Sequence, residues 1–192
     1  DDGQPMGTAG ATLKIFNFLA YEFLVMYGDT MLEVDLDKFY EYHSSKQEAV
    51  ATLFLHPNDH PQDSDIVEMD DLGKILHFHN YPHESGKYLP NLVNAALYWI
   101  KKDGMAKWRD NQKPIDFAKD LFPLMLSNNY YLRGYNSIEY IKDTGTPNRL
   151  DKVCEDLESG KITKSSLNVK HNAVFIDRDG TLNKEVNHLN HV

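Results

Sequence analysis

A single cysteine, Cys154, in 192 residues excludes an internal disulfide framework and points to a reducing compartment. No apolar run approaches the ~20 residues that cross a bilayer, and no basic-then-apolar segment opens the chain. The expected location is therefore the cytoplasm. Repeats and low-complexity tracts are also missing, which excludes solenoids and disordered linker proteins. Positive charge is scarce: 20 Lys and Arg face 29 Asp and Glu, for a net charge of −9. General binders of nucleic acid or acidic membrane need a clustered positive surface, so neither partner is expected. An acidic balance still permits phosphate substrates accompanied by a divalent cation. Nine histidines are present, but none pairs with a cysteine or forms a helical His-x-x-x-His, so His56, His60, His77, His79 and His83 read as loop and strand residues. Cys154 reads as a small buried residue of a helix, and Trp99, Trp108, Tyr130 and Tyr131 as core or sugar-facing surface.

Short apolar runs alternate with helix-like stretches, the pattern of an α/β fold with a mixed, mainly parallel sheet and flanking helices. Gly7 to Gly10 predicts a glycine loop, followed by a helix over 11–20 with Leu13, Phe16 and Leu19 on one face. Strands are expected over 22–27, 49–56, 66–69, 74–78, 94–100 and 140–143. Asp70-Asp71-Leu72-Gly73 joins two of them as a hairpin turn. Helices are expected over 35–42, 115–126 and 147–159. The last is announced by Thr146 and Pro147 at its start and Gly160 at its end. Residues 161–172 turn polar and read as a linker, after which Ala173 to Ile176 begins a new strand. This divides the chain into units at 1–160 and 173–192, and the whole is read as a stretch cut from a longer protein.

Val174-Phe175-Ile176-Asp177-Arg178-Asp179-Gly180-Thr181-Leu182 places two carboxylates just beyond a short apolar strand. One can attack phosphorus while the other protonates the leaving oxygen, and Mg²⁺ offsets their repulsion. The segment resembles the first motif of the haloacid dehalogenase (HAD) phosphatases. The intervening arginine and Asn183 resemble the branch holding the heptose 1,7-bisphosphate and histidinol-phosphate phosphatases. The resemblance implies Asp177 as nucleophile, Asp179 as acid/base and both as Mg²⁺ ligands, acting on a sugar bisphosphate.

Four further segments stand in order: Gln4 to Ala11, Phe23 to Thr30, Asn91 to Tyr98 and Tyr140 to Pro147. Asp29 follows a buried strand, where α/β sheets open their ligand crevice, and a hard carboxylate there suits Mg²⁺. Asp143 closes another strand beside a glycine and can supply the second carboxylate. Gly7 to Gly10 offers backbone N–H groups to a base or phosphate. In order and spacing these segments resemble the sugar-1-phosphate nucleotidyltransferases of the mannose- or heptose-1-phosphate guanylyltransferase type. That resemblance implies a Rossmann-like fold, transfer from an NTP such as GTP to a sugar 1-phosphate, metal at Asp29 and Asp143, the base at Gly7, Thr8 and Ala9, and the sugar at Asn94. It also admits a homo-oligomer.

Two departures from the family accompany the resemblance. Its glycine-rich loop with Arg and Lys precedes the first residue here, so transfer is expected of the parent protein rather than of this stretch alone. Tyr81 stands where the family places a lysine before a proline, with Lys87 and Arg133 as candidate substitutes. The expected function is nucleotidyl transfer in a bifunctional chain with a phosphatase. The alternatives are a heptose bisphosphate phosphatase as the main activity and a sugar-nucleotide-binding module without catalysis.

Overall fold

The computed structural model describes residues 3–83, 88–170, 172–177, 181 and 182. In chain order the elements are α1 (Gly7–Lys14), β1 (Glu22–Met26), β2 (Thr30–Glu33), α2 (Leu36–Ser44), β3 (Ala51–His56), β4 (Ile66–Met69), β5 (Ile75–His79), β6 (Val93–Lys101), α3 (Lys102–Met105), a π-helical turn at Phe117–Leu121 that runs into α4 (Phe122–Ser127), β7 (Leu132–Asn136), β8 (Tyr140–Asp143), α5 (Pro147–Glu158) and α6 (Lys161–Lys164).

Strand β6 is the axis of a six-stranded sheet. Along one side it pairs antiparallel with β3; along the other it pairs antiparallel with β1 and, at Ile66↔Val93, with β4. The β4–β5 hairpin is antiparallel too, and β3–β7 is the parallel pair of the sheet. The expectation of a mainly parallel sheet is thus corrected. Parallel neighbours need a crossover of a dozen residues or more. Between β3 and β6 lie a loop and a hairpin rather than a helix, so β6 returns against β3. Between β6 and β7 lies the helix at 117–127, after which β7 runs opposite to β6 and so parallel to β3, on the side of β3 away from β6.

Apolar residues on both faces of this sheet are covered. One face packs Leu53, Leu55, Tyr98 and Ile100 against Ala9 and Leu13 of α1 and Phe117, Leu121 and Phe122. The other packs Phe54, Ala95 and Leu97 against Phe39 of α2 and Ile141 of β8. Helix α2 forms where expected because Asp35 accepts the Lys38 N–H at 3.0 Å as N-cap, and Phe39 and His43, one turn apart, are both buried. Helix α5 starts on Thr146 and Pro147 and ends before Gly160, whose φ is +73°.

The glycines at 7 and 10 do not form a loop; Gly7 is the first residue of α1, which ends at Lys14 rather than Ala20. They allow close backbone approach. A Cβ on Gly7 would lie 2.5 Å from the Ile115 carbonyl oxygen, and the Gly10 N–H donates to that oxygen at 3.0 Å. The polar stretch after Gly160 is likewise not all linker: Lys161–Lys164 is helical, and Ile162 is buried with Tyr140 and Val153. The strand expected at 173–176 is absent. Val174, Phe175 and Ile176 are exposed, and among the described residues no strand pairs with them, so an extended run has no ladder to join there. Cys154 is exposed, because the inward side of α5 is formed by Val153 and Asp156. Among the described residues, no helix is long and apolar enough to cross a membrane.

Gly7 combines a left-handed φ of +73° with contact to a neighbouring backbone that cannot step aside. Gly7→Ala is expected to lower unfolding free energy by about 1–3 kcal/mol in urea titrations. Gly28→Ala, where an added Cβ meets nothing within 4 Å, is expected to change it by less than about 0.5 kcal/mol.

Candidate functional site

A cavity of about 630 Å³ opens where β1, β3 and β8 end and β6 begins, walled by Asp29, His56, Asn58, Asn94, Asp116 and Asp143 among others. Its two best-placed carboxylates come from a separate two-stranded ribbon. There β2 pairs antiparallel with β8, setting Thr30 opposite Asp143. Both the N–H and the hydroxyl of Thr144 donate to the Asp29 carbonyl, at 2.7 and 2.8 Å, so the turn after β1 is tied to the end of β8. Gly145 lies between the two side chains. A Cβ there would be 3.0 Å from Asp143 Oδ1 and 3.3 Å from Asp29 Oδ2. The structure thus brings Asp29 and Asp143 together over a glycine whose missing side chain leaves the space open. Arg149 forms an ion pair with the other Asp143 oxygen.

Among the described residues no group of three or more His, Cys, Asp or Glu side chains could hold a metal ion alone. Two hard oxygen donors over an open glycine nevertheless fit Mg²⁺, which is usually held by one or two carboxylates with waters and substrate phosphates completing its shell. Asp177, expected as a further ligand, is on the extended segment at 172–177 and is not among the residues lining this cavity. Asp179 lies outside the described residues.

The wall opposite is made by an irregularity in β6. The β3–β6 register shifts between Leu53 and Leu55, and Ala96 takes a left-handed φ of +55°. The detour turns Asn94, Ala95 and Ala96 to the cavity. Asn94 is fixed there: its amide donates to the Tyr98 hydroxyl at 2.9 Å and its carbonyl oxygen accepts from the Ala96 N–H at 3.3 Å. Tyr98 is fully buried, and burial raises its pKa far above the ordinary tyrosine value, so its hydroxyl stays neutral while accepting the Asn94 amide.

Gly7, Thr8 and Ala9 do not line the cavity. Ala9 is fully buried in the core. The Thr8 hydroxyl donates to Asp116 Oδ2 at 2.6 Å and accepts from the Tyr27 hydroxyl at 2.9 Å and from the Phe117 N–H at 3.0 Å. It positions two residues that do face the cavity, Tyr27 and Asp116. The other Asp116 oxygen accepts the Ala118 and Lys119 N–H groups, capping the π-helical turn. Reading 115–126 as a plain helix misses this turn, whose marker in the sequence is Asp116, a capping residue placed just before Phe117.

Arg133 is not at the site: it is buried under Tyr42, donating to the Tyr42 carbonyl at 2.6 Å and to Ser45. Lys87 lies outside the described residues, and Tyr81 is exposed. Residues not anticipated for the site are Asp116, Lys142, and the loop Pro57–His60. That loop is clamped by the Asn91 side chain, whose amide donates to the Asn58 carbonyl at 2.8 Å and whose oxygen accepts the Asn58 N–H at 2.9 Å. From it Asp59 reaches Lys142 at 3.3 Å.

His56, at the end of β3, has its pKa lowered to about 4 by burial, with the Lys142 charge adding to the shift. Buried His43 is also lowered to about 4, again mainly by burial. Both are neutral in the fold at pH 7 but take up protons when unfolded near pH 6.5. Between those values the unfolded state binds more protons, so stability falls as pH drops from about 6.5 toward 4. Urea midpoints measured across that window are expected to decline, and less steeply in His56→Gln.

A family model described as nucleotidyl transferase matches residues 2–160. Glucose-1-phosphate adenylyltransferases of Bacillus cereus and Bacillus anthracis are each 28% identical over 158 residues, covering 79% of this chain and 42% of theirs. The chain therefore spans less than half the length of these curated relatives. Among solved structures, HddC from Yersinia pseudotuberculosis complexed with GMP-PN has a TM-score of 0.61 at 22% identity, over 80% of this chain and 64% of that one. A putative glucose-1-phosphate thymidylyltransferase from Bacillus anthracis, in complex with a sucrose, has a TM-score of 0.62 at 17% identity, over 78% of this chain and 60% of that one. These neighbours share an α/β fold with a mixed sheet, and the family match over most of its length shows that the chain belongs to the nucleotidyl transferase family.

Proposed function

We propose that the protein containing this chain joins an NTP to a sugar 1-phosphate, releasing pyrophosphate and an NDP-sugar. The observation that carries this reading is the pair Asp29 and Asp143, which converge over Gly145 at the mouth of the cavity. In the reaction a phosphate oxygen of the sugar 1-phosphate bonds to the α-phosphorus. The bond from that phosphorus to the bridging oxygen breaks, and pyrophosphate leaves with the electron pair. Asp29 and Asp143 would hold Mg²⁺, which supplies charge neutralisation for the triphosphate. Asn94, held by Tyr98 and the Ala96 N–H, presents an amide of fixed orientation to sugar hydroxyls. Tyr27 and Asp116, fixed through Thr8, shape the neighbouring wall. GTP with a mannose or manno-heptose 1-phosphate is the favoured pair, supported by the likeness to HddC and by the sequence resemblance.

Full-length protein given each NTP with glucose, mannose and heptose 1-phosphates in Mg²⁺ should release pyrophosphate, fastest with GTP. Asp29→Ala and Asp143→Ala should each slow it on the order of a thousandfold. Pyrophosphate release unchanged in Asp29→Ala would overturn the reading, and NDP-sugar binding without turnover would favour a non-catalytic module.

A second activity is proposed for residues 173–182, where the exposed apolar run Val174 to Ile176 leads into Asp177. In this reading Asp177 attacks the phosphorus of a sugar bisphosphate. Asp179 protonates the departing sugar oxygen, and water then frees inorganic phosphate from the aspartyl phosphate. Release of inorganic phosphate from heptose 1,7-bisphosphate by the full-length protein should vanish in Asp177→Asn; release that persists in that variant sinks the second activity.

A further inference from the structure

Four cations line the cavity: Lys119, Lys142, Arg149 and Lys161. Arg149 is paired with the candidate metal ligand Asp143. Lys161 and Lys152 both reach Asp156, which also accepts from Tyr140 at 3.1 Å, so Lys161 belongs to the joint between α5, α6 and β8. Lys119 is exposed on the helix rim. Lys142 differs from all three. Its side chain is only 19% exposed, and it reaches across to Asp59, which is 66% exposed on the Pro57–His60 loop. His56, neutral beside it, brings no competing charge.

We propose that Lys142 is the residue that binds the phosphate of the sugar 1-phosphate, and that Asp59 holds its ammonium in place until that phosphate arrives. The proposal rests on the nucleotidyl transfer reading. An ion pair with a well-solvated carboxylate is weak, so a phosphate dianion entering the cavity can displace it. Lys142 and Asp143 both line this cavity, so a phosphate on the ammonium shares that space with whatever phosphate the Asp29–Asp143 pair attracts. Attack on an α-phosphorus requires the two reactants to be held in one such space. The same wall carries Asn58, Ser64, Asp65 and Asn94, amides, a hydroxyl and a carboxylate of the kind that recognise sugar hydroxyls. The phosphate at Lys142 is therefore assigned to the sugar rather than to the nucleotide.

The test compares wild type, Lys142→Ala, Lys142→Arg and Asp59→Asn in the full-length protein. Calorimetric titration with glucose 1-phosphate, mannose 1-phosphate and inorganic phosphate is run alongside steady-state pyrophosphate release. Lys142→Ala should weaken sugar 1-phosphate binding and raise its KM by about tenfold or more, with the KM for NTP unmoved. Lys142→Arg should restore most of it. Asp59→Asn should tighten sugar 1-phosphate binding by freeing the ammonium. Sugar 1-phosphate binding that depends on Lys142 in a protein without turnover supports this proposal while the transferase reading fails. Inorganic phosphate bound at Lys142 with no gain from the sugar overturns the assignment to the sugar. So does a Lys142→Ala effect confined to the NTP, unchanged binding in that variant, or a wild type that binds none of the three probes.

Discussion

Two carboxylates repel each other, and the candidate site depends on keeping Asp29 and Asp143 together all the same. Like charges held in one space oppose each other, the more so the closer and drier the pair. The opposition is met by the main chain. Thr144 bonds the Asp29 carbonyl through both its N–H and its hydroxyl, and the β2–β8 ladder continues that tie through four residue pairs. The Gly145 N–H donates to Asp143 Oδ1 at 2.5 Å, and Arg149 pairs with the other oxygen. The repulsion is therefore built in by folding and partly offset by two donors. That leaves a place where a divalent cation gains more than it would at either carboxylate alone.

The second constraint is the detour in β6. A left-handed φ at Ala96 costs on the order of 1 kcal/mol for a residue with a Cβ. It persists because both flanks are fixed: Leu97 and Tyr98 are buried in the sheet, and the Tyr27 N–H donates to the Ala96 carbonyl at 3.3 Å. From Tyr98 the contacts pass to the Asn94 amide on one side and, edge to face, to Tyr27 on the other. Tyr27 then leads through Thr8 to Asp116 and the start of the π-helical turn. The end of β1, strand β6, helix α1 and the π-helical turn thus share one connected polar seam beneath the cavity. The small residues at 7, 9 and 10 serve it by letting α1 approach the backbone at Ile115, with Ala9 and Gly10 buried in the core.

What was legible in the sequence follows from how local each signal is. Phe23 to Met26, Ala51 to Leu55 and the Asp70–Gly73 turn carry their strand and hairpin signals within a few residues. Asp35, Thr146 and Pro147 announce helix starts by capping chemistry that needs no distant partner. Strand β7 was missed because Gly134 and buried Arg133 interrupt its apolar pattern. Both are explained only by contacts from afar: Leu55 and Met69 leave no room for a Cβ at 134, and Tyr42 covers the guanidinium. Strand β2 is four residues behind a Gly-Asp turn and exists through pairing with β8, more than a hundred residues on. Asp29 and Asp143 stood out because each closes an apolar run beside a glycine. Asp116, Asp59 and Lys142 did not, since their importance lies in which other segment they meet. The direction of the sheet was misread because alternation of strand and helix suggests crossovers, whereas β3 and β6 are joined through a hairpin.

The acidic balance of the chain takes on a specific meaning at the cavity. Asp29, Asp59, Asp65, Asp116, Glu139 and Asp143 line it, and several are already spent. Asp116 caps a helix and bonds Thr8. Glu139 accepts the Asp35 N–H and the Ser137 hydroxyl, and Asp65 accepts the Tyr81 N–H. Of the cations, Arg149 is paired with Asp143 and Lys161 with Asp156, while Lys119 sits exposed on the rim. A phosphate entering such a site finds little free positive charge unless it brings a metal ion or displaces an existing partner. Asp29 with Asp143 offers the first route. Lys142, half-buried yet tied to a solvated carboxylate whose own pKa is held low by that lysine against the effect of burial, offers the second. On the proposed reading, a metal-bound triphosphate would neutralise the Asp29–Asp143 pair and a sugar phosphate dianion would replace Asp59 at Lys142, whereas a singly charged anion would do neither.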